Sequence, residues 1–188
     1  MSGTDGCGTS AGIQDLAVYG ISFDDIVIHE DEKEACSYAG ILENLKAFLE
    51  TQKDTGRKIV ILSHTGLHTL GIQRESSAKE WSGSEKYNPD LSAEVVCLLN
   101  KYAESYGMEI VFLFGHNHSK QEGEFYLGPG DRIDSTQNYA QRSVSSQDLK
   151  FAYAHAGYLT GRSNGTKHYS VLSLTQDGLS ISLRKLSE

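Results

Sequence analysis

The chain has 188 residues, of which 38% are hydrophobic and 22% charged, which is enough for one domain with a hydrophobic core. A net charge of −8 at pH 7 gives no basic footprint for nucleic acid, and no apolar run is long enough to cross a membrane. The three cysteines are widely spaced without a C-x-x-C pattern, which indicates reduced thiols, and the N-terminus lacks the apolar core of a signal peptide. A cytoplasmic location is therefore expected for the chain as given, with export left open for a longer parent protein.

The first part of the chain predicts alternating strands and helices. Residues 1–14, rich in Gly, Ser and Thr, are expected to be disordered. A strand is predicted over residues 16–23, and a helix over 33–55, where apolar residues recur every three or four positions. Gly56 is expected to terminate this helix. The run 58–63 is apolar between its ends without alternation, which indicates a parallel strand buried on both faces.

A long loop is predicted over residues 65–88, at the mouth of a site. A second helix follows over 89–106, with Asn88 as its N-cap and Pro89 at its first position, and Gly107 ends it. The apolar face of this helix is predicted to comprise Leu91, Val95, Leu98, Tyr102 and Tyr106. A further strand is expected over 109–114.

Only strands are predicted in the remainder of the chain, over residues 124–127, 149–155, 167–174 and 179–184. Asp177-Gly178 between the last two is a strong hairpin signal. The order of elements predicts an α/β fold with a parallel β-α-β-α-β unit followed by antiparallel strands, in one domain over residues 15–188.

Three histidines directly follow two of the predicted parallel strands. His64 follows the strand 58–63, and Gly115-His116-Asn117-His118 follows the strand 109–114. Ligands of α/β sheets bind beyond the carboxyl ends of the strands, so these imidazoles are expected to converge. A single histidine at a strand end is more often a hydrogen-bonded loop residue. Three of them in this pattern favour a transition-metal site on His64, His116 and His118, since imidazole nitrogen suits such ions.

This pattern resembles the C-terminal half of the calcineurin-like metallophosphoesterases, whose motifs run D-x-H, G-D-x-x, G-N-H, H and G-H-x-H. The resemblance covers about residues 15–185 and includes the stretch from Tyr153 to Leu159 and the closing hairpin. It implies an α/β/β/α sandwich in which His64 and His116 bind one metal ion and His118 the other. It also implies one or two ions of Mn, Fe or Zn, and hydrolysis of a phosphomonoester or phosphodiester substrate by metal-bound hydroxide.

The chain departs from the family pattern in its first half. It contains no D-x-H or G-N-H, so the bridging aspartate, the asparagine ligand and the general-acid histidine have no counterparts. Residues 130–134 resemble G-D-x-x-D but follow G-H-x-H, and are more simply interpreted as a polar turn between strands. The chain is therefore expected to be a hydrolase carrying only the second half of the metal site, inactive or weakly active alone. The alternative is a non-catalytic metal-binding or interaction module.

Two further histidines are predicted to contact substrate. His68 lies four residues after His64, and His155 lies on a predicted strand, where it could instead simply pack. Strands missing from the family's fold would leave an exposed sheet edge, which predicts a homodimer through that edge. No membrane or nucleic-acid partner is expected.

Overall fold

The computed structural model describes residues 4–5, 8–13, 15–21, 38–68, 92–115, 126–138, 143–158, 168–175 and 178–185. The helices within these ranges are α1 (Tyr38–Gln52) and α2 (Ser92–Tyr106). The strands are β1 (Thr4–Asp5), β2 (Gly8–Ile13), β3 (Leu16–Ile21), β4 (Lys58–Ser63), β5 (Ile110–Phe114), β6 (Tyr126–Leu127), β7 (Arg132–Asn138), β8 (Ser143–Asp148), β9 (Ala152–His155), β10 (Gly157–Tyr158), β11 (His168–Thr175) and β12 (Gly178–Lys185).

A seven-stranded mixed sheet forms the centre of the fold, in the order β1-β2-β3-β4-β5-β9-β6. Strands β3, β4, β5 and β9 are parallel to one another, while β1, β2 and β6 pair antiparallel at the two ends. Helix α1 connects β3 to β4 and α2 connects β4 to β5, as parallel neighbours require. The predicted α/β class, with parallel strands followed by antiparallel ones, is confirmed.

The parallel strands bury opposite faces against two different layers. On one face, Ile61 of β4 and Phe112 of β5 belong to the main core with Leu45 of α1 and Leu99 of α2. Residues that alternate with these on the strands, such as Val60 and Val111, lie on the opposite face of the sheet and form a second, smaller hydrophobic core. The prediction that β4 is buried on both faces is wrong at one position, because Leu62 remains 43% exposed.

A three-stranded antiparallel sheet, β10-β11-β12, covers the second face. Partly buried apolar residues of this sheet, including Leu172 and Leu179, pack against Val60 and Leu113 of the central sheet. The predicted pairing of the last two strands is confirmed, since β11 and β12 are antiparallel from His168 opposite Lys185 to Thr175 opposite Gly178. The described residues thus form three layers, with helices, central sheet and antiparallel sheet in succession.

The carboxylate of Glu109 connects the β11–β12 hairpin to the central sheet. It accepts a hydrogen bond from the backbone N–H of Leu179 at 3.0 Å and forms an ion pair with Lys58. Partial burial acts to raise the pKa of Glu109, but the bonds from Lys58 and Leu179 outweigh it, so this pKa lies below its ordinary value. Because the pair is partly exposed, its contribution to stability is modest, about 1 kcal/mol or less.

The boundaries of α2 agree with prediction within the described residues, but its buried face is rotated. Gly107 has φ +62° and ends the helix as expected. The buried residues include Val95 and Tyr102, as predicted, but Leu99 takes the place assigned to Leu98, and Tyr106 is 42% exposed. Leu91, Asn88 and Pro89 lie outside the described residues.

The prediction for α1 extends beyond the described helix at both ends. Residues 33–37 lie outside the described part of the chain. The helix stops at Gln52, and residues 53–55 form a turn before Gly56, which has φ +71°. Gly56 therefore adopts the expected left-handed conformation but does not directly cap the helix.

Within residues 1–14, for which disorder is predicted, the described residues form the short strand β1 and the strand β2. Gly8–Ile13 forms β2 and pairs antiparallel along the whole of β3, from Gly8 opposite Ile21 to Ile13 opposite Leu16. The segment lacks a large apolar face, and its strand is determined by the backbone donors and acceptors that β3 offers. Since β2 pairs with β3, the outer strands of the described sheet are β1 and β6, and the homodimer through an exposed sheet edge stays a prediction.

A second missed element is the hairpin of β7 and β8, which are paired antiparallel with a bulge near Thr136. It packs against the start of α2, where the buried hydroxyl of Ser92 accepts a hydrogen bond from the N–H of Thr136 at 2.8 Å. The turn predicted at residues 130–134 does begin between strands, since Gly130 has φ +96° and Asp131 accepts from the N–H of Gly128, but residues 132–134 belong to β7. Neither described helix has the length and apolarity needed to span a bilayer.

Candidate functional site

The last residues of the parallel strands lie side by side and define one end of the sheet, here named the carboxyl edge. Ile21 of β3 pairs with Ser63 of β4, Ser63 with Phe114 of β5, and Phe114 with His155 of β9. The edge is the position at which ligands of α/β sheets bind. In the sequence, His64 follows β4, His116 and His118 follow β5, and His155 is the last residue of β9. His68 lies in the loop after β4.

The two strands that precede the histidine motifs end side by side at this edge. His64 directly follows β4 and is exposed. Its carbonyl oxygen accepts a hydrogen bond from the N–H of Gly115 at 3.1 Å, and Gly115 is the residue before His116. His116, Asn117 and His118 lie outside the described residues. The parallel pairing of β4 and β5 therefore places Gly115 beside His64, and the predicted convergence of the three imidazoles stays a prediction.

A buried aromatic cluster lies next to these strand ends. The Phe114 and Tyr153 rings stack with centroids 4.7 Å apart. The imidazoles of His68 and His155 approach the same Phe114 ring edge-on, at centroid distances of 5.2 and 5.1 Å. Thus the two histidines predicted to contact substrate share one ring as a neighbour. Both are buried, at 6% and 1% exposure, rather than presented to solvent.

Hydrogen bonds hold both imidazoles through Nδ1. The hydroxyl oxygen of Tyr153 lies 2.6 Å from Nδ1 of His68 and accepts a bond from the N–H of Leu67 at 2.7 Å. Nδ1 of His155 accepts a bond from the N–H of Gly157 at 2.9 Å. Burial lowers the pKa of His68 to about 3, with a smaller contribution from His155, so the imidazole is neutral at physiological pH.

Gly66 is required by the close packing around His68. A Cβ at this position would lie 2.6 Å from the Tyr153 hydroxyl and 2.9 Å from Nδ1 of His68. The backbone of His68 itself forms an isolated antiparallel bridge with Ser135 of β7. The loop after β4 is therefore fixed from two sides, by Tyr153 and by β7.

The described residues contain only part of the predicted metal site. Among them, no group of three His, Cys, Asp or Glu side chains is placed to hold a metal ion, and of the three proposed ligands only His64 is described. Exposed imidazole at a strand end is chemically suited to a transition metal. The buried His68 and His155 add nitrogen atoms near the edge but are already engaged through Nδ1.

Tyr153 was not singled out from the sequence. It lies two residues before His155 on β9, so both side chains point to the same face of the sheet. The two-residue spacing of Tyr153 and His155 can be read from the sequence. The contact of Tyr153 with His68, 85 residues away, depends instead on the parallel pairing of β5 with β9.

A separate apolar groove of about 330 Å³ lies between α1 and α2, lined by residues such as Leu42, Cys97 and Leu98. It contains none of the predicted site residues. Its rim carries Lys46 and Lys101 together with Glu43 and Glu94, which gives it no net charge.

Comparison with known proteins leaves the family open. No family model matches the chain, and no curated protein matches it. A solved structure described as GAP50, the anchor in the inner membrane complex of Plasmodium, is 12% identical with a TM-score of 0.49. The match covers 95% of this chain and 49% of that one, so this chain spans about half the length of the matched structure.

Proposed function

We propose that this chain carries part of the metal site of a metal-dependent phosphoesterase of the calcineurin-like type, which hydrolyses a phosphomonoester or phosphodiester. The observation that supports this most is the bond from Gly115 N–H to the His64 carbonyl. It joins the ends of two parallel strands at the edge where α/β folds bind ligands, and each strand runs into one histidine motif.

In this proposal His64, His116 and His118 hold a divalent transition metal, such as Mn, Fe or Zn. Imidazole nitrogen is a suitable ligand for each of these ions. When bound, the ion would act as a Lewis acid and lower the pKa of a coordinated water. His68 and His155, buried beside the same edge, would contact the phosphate group of the substrate.

The layers of the fold are consistent with this family. Helices, a central sheet with parallel strands, and an antiparallel sheet would be three of the four layers of an α/β/β/α sandwich. The absence of D-x-H and G-N-H limits what the chain can do, because no carboxylate is assigned to bridge two ions. We therefore expect one bound ion and weak activity or none from this chain alone. A cytoplasmic location and a homodimer are further proposals.

The metal content of the purified chain tests the proposal. Elemental mass spectrometry of the unmodified chain should find close to one equivalent of metal, and His64→Ala and His116→Ala should each remove it. His168→Ala is the matched control, since this histidine lies on β11 and belongs to neither motif. Metal retained in both motif variants, or lost equally in the control, would refute the assignment.

Activity against a chromogenic phosphate ester with added Mn separates catalysis from binding. Any metal-dependent hydrolysis should disappear in His116→Ala, and hydrolysis unchanged in that variant would contradict the proposed role.

A non-catalytic metal-binding or interaction module is the second candidate. The lack of counterparts for the bridging aspartate, the asparagine ligand and the general acid favours it. Both candidates predict stoichiometric metal that is lost in both motif variants. Metal-dependent hydrolysis by the unmodified chain that disappears in His116→Ala would exclude the non-catalytic module.

A further inference from the structure

We propose that Tyr153 is a positioning residue that fixes His68 as a hydrogen-bond donor through Nε2, and that His155 has the same tautomer. The two imidazoles would then contact an oxygen atom of the phosphate group and bind no metal. The phosphate contact rests on the proposed function, whereas the tautomers and the role of Tyr153 do not.

For His155 the tautomer follows from one hydrogen bond. The backbone N–H of Gly157 points at Nδ1 of His155 with an N–N distance of 2.9 Å. An amide N–H can only donate, so Nδ1 must offer its lone pair and carry no proton. An imidazolium, which has protons on both nitrogens, cannot form this bond. His155 is therefore neutral, with its proton on Nε2.

For His68 we infer the tautomer from two hydrogen bonds of the Tyr153 hydroxyl. The N–H of Leu67 donates to the phenolic oxygen at 2.7 Å, so this oxygen is an acceptor in that bond. The single hydroxyl proton satisfies the 2.6 Å contact with Nδ1 of His68 when it points at that nitrogen. Nδ1 is then an acceptor, and the proton of the neutral imidazole resides on Nε2. The depressed pKa of His68 is consistent with a neutral ring.

This arrangement is the reverse of the one seen in metal ligands. A histidine that binds a metal through Nε2 keeps its proton on Nδ1 and usually donates it to a carboxylate or carbonyl oxygen. Here Nδ1 of both His68 and His155 accepts instead of donating. To coordinate a metal through Nε2, His155 would have to give up its bond from Gly157, and the Tyr153 hydroxyl would have to turn from donor to acceptor toward His68. An Nε2–H donor is suited to an oxygen atom, such as one of a phosphate group.

Nitrogen NMR of the metal-free chain tests the inference directly. Two-bond ¹H–¹⁵N correlation spectra of histidine-labelled protein distinguish a protonated from an unprotonated ring nitrogen. The signals of His68 and His155 are assigned with His68→Gln and His155→Gln. We expect protonated Nε2 and unprotonated Nδ1 in both rings. A protonated Nδ1 in either ring of the unmodified chain overturns the inference.

The Tyr153→Phe variant tests positioning. It removes the donor to His68 and the acceptor of the Leu67 N–H, but leaves the Gly157–His155 bond in place. The two nitrogen signals of His68 should therefore shift toward each other as the tautomers mix, while those of His155 stay unchanged. Tyr106→Phe makes the same chemical change on α2 and should move neither ring. An unchanged His68 pattern in Tyr153→Phe overturns the positioning role. Should Tyr153→Phe not fold, the spectrum of the unmodified chain still decides the tautomers.

Adding one equivalent of zinc separates this inference from the proposed function. Retention of the Nε2 protons of His68 and His155 while other histidine signals change supports both. Loss of either Nε2 proton overturns the inference. If zinc changes no histidine signal, the proposed metal site fails, whereas the tautomers and the effect of Tyr153→Phe still support or overturn the role of Tyr153.

Discussion

Replacing Gly66 with alanine should destabilise the chain far more than the same change at Gly115. The new Cβ would lie 2.6 Å from the Tyr153 hydroxyl, an atom on a side chain with no exposed surface into which it could move. Overpacking of a rigid site costs about 1–3 kcal/mol, and each hydrogen bond displaced costs about 1 kcal/mol more. Loss of glycine's freedom in the unfolded chain offsets about 0.4–1 kcal/mol. We expect a net loss of about 2–3 kcal/mol.

Gly115→Ala is a matched control at the same edge. Among the described residues, a Cβ there would meet the His64 carbonyl oxygen at an ordinary 3.7 Å. Urea unfolding followed by circular dichroism gives both free energies of unfolding. Tyr153→Phe removes the atom at 2.6 Å, so Gly66→Ala should cost less in that background, by about 1 kcal/mol. Equal effects of Gly66→Ala and Gly115→Ala, or full additivity with Tyr153→Phe, would refute this account of the packing.

Two further predictions concern stability. Leu99→Ala should lower the free energy of unfolding by about 2–5 kcal/mol because Leu99 is fully buried. Leu98→Ala should lower it clearly less because Leu98 is only partly buried. The reverse order in urea unfolding would contradict the observed buried face of α2. Stability should also fall as the pH decreases from about 6.5 to about 3. The first value is the ordinary pKa of histidine and the second is the pKa of His68 in the folded chain. Between them the unfolded chain binds a proton at His68 that the folded chain does not. The slope should approach about 1.4 kcal/mol per pH unit for this one residue, and His68→Gln should reduce it; an unchanged slope in His68→Gln would show that His68 is not its source.

The sequence predicts the central elements well because their signals are local. The strand over residues 58–63 and the end of α2 before Gly107 depend on an apolar run and on a single helix-terminating glycine. The buried face of α2 was misassigned because Leu98 and Leu99 are adjacent and equally apolar. Which of them faces the sheet depends on how the helix is rotated against β4 and β5, which periodicity alone does not determine.

The missed strands have no local apolar signal. Strand β2 is mostly Gly, Ser and Thr, and β8 has one large apolar residue, Val144. Their conformation comes from pairing with β3 and β7. The candidate site likewise combines local and non-local features. The position of His64 at the end of a strand is predicted from that strand alone, whereas the contact of His68 with Tyr153 depends on the order of strands in the sheet.

The backbone of Ala156 forms hydrogen bonds with both sheets. Its N–H donates to the carbonyl of Phe114 in the central sheet, and its carbonyl accepts from the N–H of Ser170 on β11. The hydroxyl of Ser170 also donates to the carbonyl of His155. A shortened protein ending before residue 168 would therefore not be a smaller version of the same domain. It would leave Ala156 and His155 without these donors and uncover the apolar face beneath, so any fragment intended to preserve the carboxyl edge must retain β11 and β12.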